Sequence, residues 1–247
     1  MQKILAYPLT ILYFICFGLT LVIFHPIQWF CNNVFGYQAH KISVDWFQFF
    51  IMRSLNVLGT TFSFTNPYTI EKGTPLIIVT NHQSMYDIPP LIWYFRKHHV
   101  KFVSKKELGK GIPSVSYNLR HGGSVLIDRK DALGSIKAIE NFAKRIEKNK
   151  WAAVIFPEGT RSRDGKPKQF KTKGLLTMIK HAPNALVIPV TINNSWKTVK
   201  YGKFPMGLGA RISFLVHKPI HANHYEDKLE LISIVEAQVI SSIENES

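Results

Sequence analysis

Ile4 to Phe24 is a run of 21 residues without a charged side chain, and no other feature narrows the possible folds as much. Wound as a helix it is roughly 31 Å long, about the thickness of a bilayer's hydrocarbon core. A secretory leader normally has a shorter apolar stretch and a small-x-small cleavage site, whereas His25-Pro26 follows here. The run is therefore expected to enter a membrane, with a buried core helix as the competing reading. Pro8 and Gly18 leave its path open. A straight span and a hairpin that turns back through Pro26 to Phe35 both fit.

Val44 to Leu58 has a different pattern. On a helix, Asp45, Gln48, Arg53 and Asn56 fall in one stripe roughly 140° wide. Trp46, Phe47, Phe49, Phe50, Ile51, Leu55 and Leu58 cover most of the remainder, with Met52 intruding on the polar stripe and Ser54 on the apolar side. So wide an aromatic face fits a helix lying in a bilayer interface. A helix packed on the rest of the protein fits nearly as well. The two cysteines, Cys16 and Cys31, have neither zinc-like nor disulfide-framework spacing, in keeping with a reducing compartment.

Charge is segregated along the chain. Residues 96–180 hold 21 Lys and Arg against seven Asp and Glu, a surplus of 14 within a formal net charge of +15. The first 64 residues hold only Lys3, Lys41, Arg53 and Asp45. A basic middle calls for an anionic partner: anionic lipid, a phosphorylated substrate or nucleic acid. Nucleic acid leaves the uncharged N-terminus without a purpose, and the basic runs carry no recognition motif with stacking aromatics.

From about residue 60 the chain alternates between strand-like and helix-like segments, and 46% apolar content supports a substantial core. Leu76–Thr80, Ser124–Ile127, Ala152–Phe156, Leu186–Ile192 and Ile212–Val216 read as strands. Asp131 to Asn149 reads as a helix with Leu133, Ile136, Ile139, Phe142 and Ile146 on one face, and Glu226 to Ile243 as a closing helix. The fold class is α/β, with a helical module over 1–60 and a single domain over 61–247.

Two segments carry chemistry. The first is Asn81-His82-Gln83-Ser84-Met85-Tyr86-Asp87, directly after a buried strand. On a continuous helix His82 and Asp87 would point about 140° apart. They meet only if His82 ends the strand and Asp87 lies in the first turn of the next helix, with Ser84 as its cap and Pro89-Pro90 just inside. Asp87 can then fix the imidazole tautomer while His82 acts as a general base. Ser84 lacks a Gly-x-Ser-x-Gly setting, so activation of a substrate's own hydroxyl is preferred over a covalent intermediate.

The second segment, Phe156-Pro157-Glu158-Gly159-Thr160-Arg161-Ser162, suits an anion. Gly159 permits close backbone approach, Thr160 and Ser162 supply hydroxyls, and Arg161 supplies a planar fork. Glu158 is expected to orient Arg161 or a substrate hydroxyl. Lys166, Lys168, Lys171 and Lys173 read mainly as a solvated loop. Arg129, ending the segment that opens at Gly122-Gly123, reaches the same anion or pairs with Asp128 or Asp131. Lys105 is a weaker candidate of the same kind.

Together these blocks resemble the glycerolipid acyltransferase superfamily, and within it the bacterial-type 1-acyl-sn-glycerol-3-phosphate (lysophosphatidic acid) acyltransferases. The N-H-x4-D block is met at Asn81, His82 and Asp87, and G-x-x-x-I-x-R at Gly123, Ile127 and Arg129. F-P-E-G-T-R-S is complete at 156–162, and a final apolar block is met at Val187-Ile188-Pro189-Val190. Asp164-Gly165, Phe170-Lys171 and Gly174 also look like the family's. Ser124-Val125-Leu126 departs from the bulky aromatic often found there, which bears on the acyl pocket.

The resemblance implies a mixed-sheet acyltransferase domain flanked by helices. It also implies catalysis by His82 and Asp87 and an acceptor site of Glu158, Gly159, Thr160, Arg161, Arg129 and Lys105, supported by Asn81, Ser84 and Ser162. Backbone amides after His82 would stabilise the oxyanion. Lysophosphatidic acid, a membrane bilayer, and acyl-CoA or acyl-acyl carrier protein would be the partners, with no nucleic acid, metal or bound cofactor. The catalytic domain would face the cytoplasm, at a bacterial inner membrane.

Overall fold

The computed structural model describes residues 2–244. It opens with a 33-residue helix, α1 (Gln2–Val34), which continues through both Pro8 and Pro26. The chain reverses at Phe35-Gly36, where Gly36 takes φ 78°, and returns as α2 (Tyr37–Leu55). A hairpin therefore exists, but its second arm is α2, not the Pro26–Phe35 segment. α1 is long and apolar enough to cross a membrane, yet it lies along the rest of the protein. Thr10 accepts from the Met206 amide (2.9 Å), and Ser114 bonds to the Leu21 carbonyl (2.6 Å) and to His25 (3.1 Å). Asn32 and Asn33 both reach the Tyr117 hydroxyl.

α2 packs in a way its sequence hides. Asp45 and Gln48, from the polar stripe, are buried together with His40, Ser43 and Ser54. Trp46 and Phe50 point outward, as does Ile42. The reason is pairing: Lys41 donates to Asp45 at 2.5 Å, which lets the carboxylate turn inward. Outward apolar side chains of α1, including Ile11, Ile15, Leu19 and Val22, make an exposed apolar surface on the same hairpin.

After β1 (Thr61–Thr65) and β2 (Leu76–Thr80) come α3 (Ile88–Tyr94), β3 (Val100–Lys105) and α4 (Val115–His121). β4 (Val125–Ile127), α5 (Ala132–Asn149), β5 (Ala152–Ile155), α6 (Thr172–His181) and β6 (Leu186–Asn193) follow, then β7 (Arg211–Val216), β8 (Ile220–His221) and α7 (Lys228–Ser241). The sheet order is β1-β7-β6-β2-β5-β3-β4, with β8 beside β6. β6 through β4 run parallel, β7 is antiparallel to β6, and β1 is parallel to β7. The sheet is mixed and flanked by helices.

β2 lies mid-sheet and is fully buried. Its alternate residues serve two cores, as the two-residue period requires. Ile77 and Val79 meet Phe142 and Ile146 of α5, Met178 of α6 and Val235 of α7. Leu76 and Ile78 meet Leu91 and Phe95 on the other face. On α5, Ile139, Phe142 and Ile146 are buried as expected, but Leu133 is 87% exposed. Leu133 lies in the first turn of α5, ahead of the buried stretch of that helix.

Candidate active site

The carboxyl ends of β2, β5, β3 and β4 share one edge of the sheet, where ligands bind in open α/β folds. The segment after β2 is fixed first. Asn81 makes two 2.8 Å bonds to the Ile192 backbone, donating to its carbonyl and accepting from its amide. Ser84 then caps a short 3-10 turn over Met85–Asp87 by accepting from the Tyr86 amide at 3.0 Å. Pro89 and Pro90 follow in the first turn of α3, where missing helical donors cost nothing.

This turn brings His82 and Asp87 together. His82 Nδ1 lies 2.7 Å from Asp87 Oδ2, and the same oxygen accepts from the Gln83 amide (2.8 Å) and the Ser84 amide (3.0 Å). The other oxygen, Oδ1, accepts from the Ser195 hydroxyl. Gln83 Oε1 in turn accepts from the Ser195 amide at 3.0 Å. Asp87 is wholly buried and His82 Nδ1 is committed to it, so Nε2 is the nitrogen left for chemistry. The imidazole stacks on Phe156 with ring centroids 4.0 Å apart.

The loop after β5 supplies the cations. Arg161 Nε lies 3.4 Å from His82 Nε2, and Arg129 donates to the Gly159 carbonyl at 2.6 Å. Arg129 is therefore tied to this loop. Although Arg161 is an exposed residue, partial enclosure of its guanidinium holds it below its usual range, with Asp87 opposing and Arg163 and Arg129 acting in the same direction. Gly159 takes φ 71°, a left-handed conformation that suits glycine. Lys168 folds back over the loop, donating to Thr160 Oγ1 (3.0 Å) and the Arg161 carbonyl (2.8 Å). Thr160 and Arg161 are exposed. Lys105 is exposed at the end of β3, opposite Ile127 in the ladder and so two positions from Arg129.

Three expectations change. Glu158 is turned inward and bonds backbone, not Arg161: it is 2% exposed, and its two oxygens accept from the His82 amide (2.9 Å) and the Lys168 amide (3.2 Å). Burial raises its carboxyl to about 7, against the lowering effect of those two amides. Ser162 is likewise turned inward, bonding to the His82 carbonyl through its amide (2.7 Å) and hydroxyl (3.3 Å). Glu158 and Ser162 thus hold the backbone of His82 from both sides. The amides of Gln83 and Ser84 are already bonded to Asp87, so the turn after His82 does not offer them to an oxyanion.

The residues that sequence reasoning missed are Gln83, Ser195, Lys168 and Tyr86. Ser195 follows the carboxyl end of β6, a position that flags ligand-side residues in such sheets. The Tyr86 hydroxyl accepts from Tyr13 of α1 at 2.8 Å and faces Met206 Sδ at 3.6 Å, joining the hairpin to the His82–Asp87 turn. Among the described residues no three or more His, Cys, Asp or Glu side chains are grouped to hold a metal ion.

Several known proteins resemble this chain. The chloroplastic 1-acyl-sn-glycerol-3-phosphate acyltransferase of Arabidopsis thaliana is 31% identical over 153 residues, 62% of this chain and 41% of its own length. The Helicobacter pylori 1-acyl-sn-glycerol-3-phosphate acyltransferase is 37% identical over 97 residues, 39% of each chain. The chain thus spans about two fifths of the length of these curated relatives. The crystal structure of the 1-acyl-sn-glycerophosphate acyltransferase PlsC from Thermotoga maritima superposes with a TM-score of 0.81 at 25% identity, covering 98% of this chain and 96% of that one. The sequence model of the acyltransferase family matches residues 61–193, more than half of the chain, and this chain belongs to that family.

Proposed function

We propose that the protein transfers a fatty acyl group from a thioester, acyl-CoA or acyl-acyl carrier protein, to the 2-hydroxyl of 1-acyl-sn-glycerol-3-phosphate. One observation carries the reading: His82 Nδ1 is bonded to Asp87 while Nε2 faces Arg161. His82 Nε2 takes the proton from the acceptor hydroxyl, and the oxygen attacks the thioester carbonyl. The tetrahedral intermediate expels the thiolate, which receives the proton back from the imidazolium. Asp87 keeps the tautomer and supports the transient cation. The acyl group passes directly between substrates, with no acyl-enzyme and no metal or bound cofactor.

Arg161 and Arg129, with Lys105 at the same edge, hold the acceptor's phosphate, and Gly159 lets the backbone come close to it. The products are phosphatidic acid and a free thiol. The outward apolar faces of α1 and α2 support a seat in a membrane for the hairpin over residues 1–60. The 61–247 domain is placed on the cytoplasmic side, where its thioester donors are.

The test uses purified full-length protein in mixed micelles with palmitoyl-CoA or palmitoyl-acyl carrier protein. Lysophosphatidic acid, lysophosphatidylglycerol, a lyso-amino-lipid and glycerol-3-phosphate serve as acceptors, with thiol release and lipid mass as readouts. Phosphatidic acid from lysophosphatidic acid is expected. Transfer to a different acceptor alone would reassign the substrate. No transfer from either donor to any acceptor would leave a non-catalytic basic membrane protein.

A further inference from the structure

The Asp87 carboxylate is held unequally. Oδ2 receives three donors, His82 Nδ1 and the amides of Gln83 and Ser84, while Oδ1 receives one, the Ser195 hydroxyl. The terminal torsion of an aspartate is broad and intrinsically soft. A single bond on Oδ1 therefore decides whether the carboxylate plane stays aimed at Nδ1 or swivels about its three-donor oxygen.

Ser195 is well placed to supply that bond. It is wholly buried, its amide donates to Gln83 Oε1 at 3.0 Å, and its carbonyl accepts from Thr198 at 2.6 Å. The preceding Asn194 takes φ 66°, which turns the chain out of β6 and toward Asp87. Ile192, three residues upstream, is clamped to Asn81. The end of β6 thus grips the 81–87 turn at both of its ends and at Gln83 between them.

We infer that Ser195 is a positioning residue for the acyl transfer proposed above, acting through Asp87 to keep the His82 imidazole oriented as a base. It makes no contact with substrate. The inference rests on His82 being that base. With Asp87 and Ser195 both wholly buried, loss of the hydroxyl leaves Oδ1 without its protein donor, and His82 loses alignment before it loses its partner.

The experiment uses full-length protein in detergent micelles and the variants Ser195→Ala, Ser195→Thr and Ser195→Val. Threonine and valine have the same shape and differ in the hydroxyl alone, so that pair carries the test if the alanine variant fails to fold. Removing the hydroxyl should lower kcat about 10- to 100-fold, with KM for donor and acceptor within about twofold, and threonine should restore most of it. Independently of turnover, the low-field proton signal of His82 Nδ1–H, assigned by its absence in His82→Ala, should shift and broaden in the alanine and valine variants. It should persist in the threonine variant.

A purely structural serine would lower the melting temperature while leaving kcat and the low-field signal in place, and that result would overturn the inference. Equal behaviour of the threonine and valine variants would overturn it as well. If the parent protein transfers no acyl group at all, the proposed reaction fails, yet the proton signal still reports whether Ser195 orders the His82–Asp87 pair.

Discussion

The His82–Asp87 turn and the α1–α2 hairpin touch each other through Tyr13 and Tyr86, yet their interiors are held by opposite means. In the turn, Asn81, Gln83, Ser84 and Asp87 are each at most 1% exposed; Asn81, Gln83 and Asp87 have hydrogen-bond partners on other segments, and Ser84 caps the turn from within. In the hairpin, Gln28 and His40 are just as buried, and neither polar atom of Gln28 nor either ring nitrogen of His40 has a partner among the described residues. α1 and α2 meet each other through apolar area and aromatic contacts such as Phe24 against Phe47, while hydrogen bonds such as those of Thr10, Leu21 and Tyr13 join α1 to the domain. Directional bonds specify one geometry and fail abruptly when one is lost, whereas area degrades by increments.

The sharpest break in that comparison is His82→Ala. Activity should fall by about a thousandfold while the melting temperature and vesicle binding stay within error, because the ring supplies chemistry more than cohesion. Substantial residual turnover would remove His82 as the base. Arg161→Ala should come next, raising the acceptor KM by about tenfold with a smaller loss in kcat, as expected for ground-state phosphate binding. An unchanged response to acceptor concentration would put the phosphate elsewhere.

Glu158 tests how the site depends on pH. Its carboxyl is raised to about 7 by burial, so its contribution to stability is complete below the usual glutamate value of about 4.3 and is lost as pH rises through about 7. Glu158→Gln has no such titration, and it sets a side-chain amide against one of two backbone N–H groups. The parent's advantage in melting temperature should be largest below about pH 4.3 and shrink by several degrees as pH rises to about 8. A constant gap would show that Glu158 does not titrate in this range. The smallest effect belongs to the hairpin: Gln28→Leu removes two unpartnered buried polar atoms and should stabilise the protein by about 1 kcal/mol in thermal unfolding. Destabilisation would show that Gln28 has a polar role after all.

What was legible in the sequence divides along similar lines. β2, β5, β6 and β7 announced themselves as apolar runs, and α5 by its buried Ile139, Phe142 and Ile146. β3 did not, because Lys101 interrupts it. That lysine is 5% exposed, and its ammonium lies 5.0 Å from the ring centroids of both Tyr37 and Trp151. Burial drops it to about 7. Such a cation–π enclosure leaves no trace in a hydropathy pattern. β1 was hidden for another reason: an edge strand with alternating half-buried residues gives a weak signal.

At the site, the blocks containing His82, Asp87, Arg129 and Arg161 could be read along the chain because each is local. The bonds that lock them could not. Asn81 to Ile192 and Asp87 to Ser195 join segments 111 and 108 residues apart, and they exist only because β2 and β6 pair in one register, Thr80 against Val190. Glu158 was misread for the same reason, since its real partners are backbone amides at positions 82 and 168.

The pairing of β1 with β7 also sets a timetable. Thr61 lies opposite Arg211, some 150 residues further on, and at ribosomal speeds of about 5–20 residues per second that strand arrives about 8–30 s later. Met206, whose amide binds Thr10, is made just before it. For that interval α1 is without the part of its seat that Met206 supplies. Until then α1 must rely on partners made earlier, among them Tyr86, Ser114 and Tyr117, and Met206 closes the contact last.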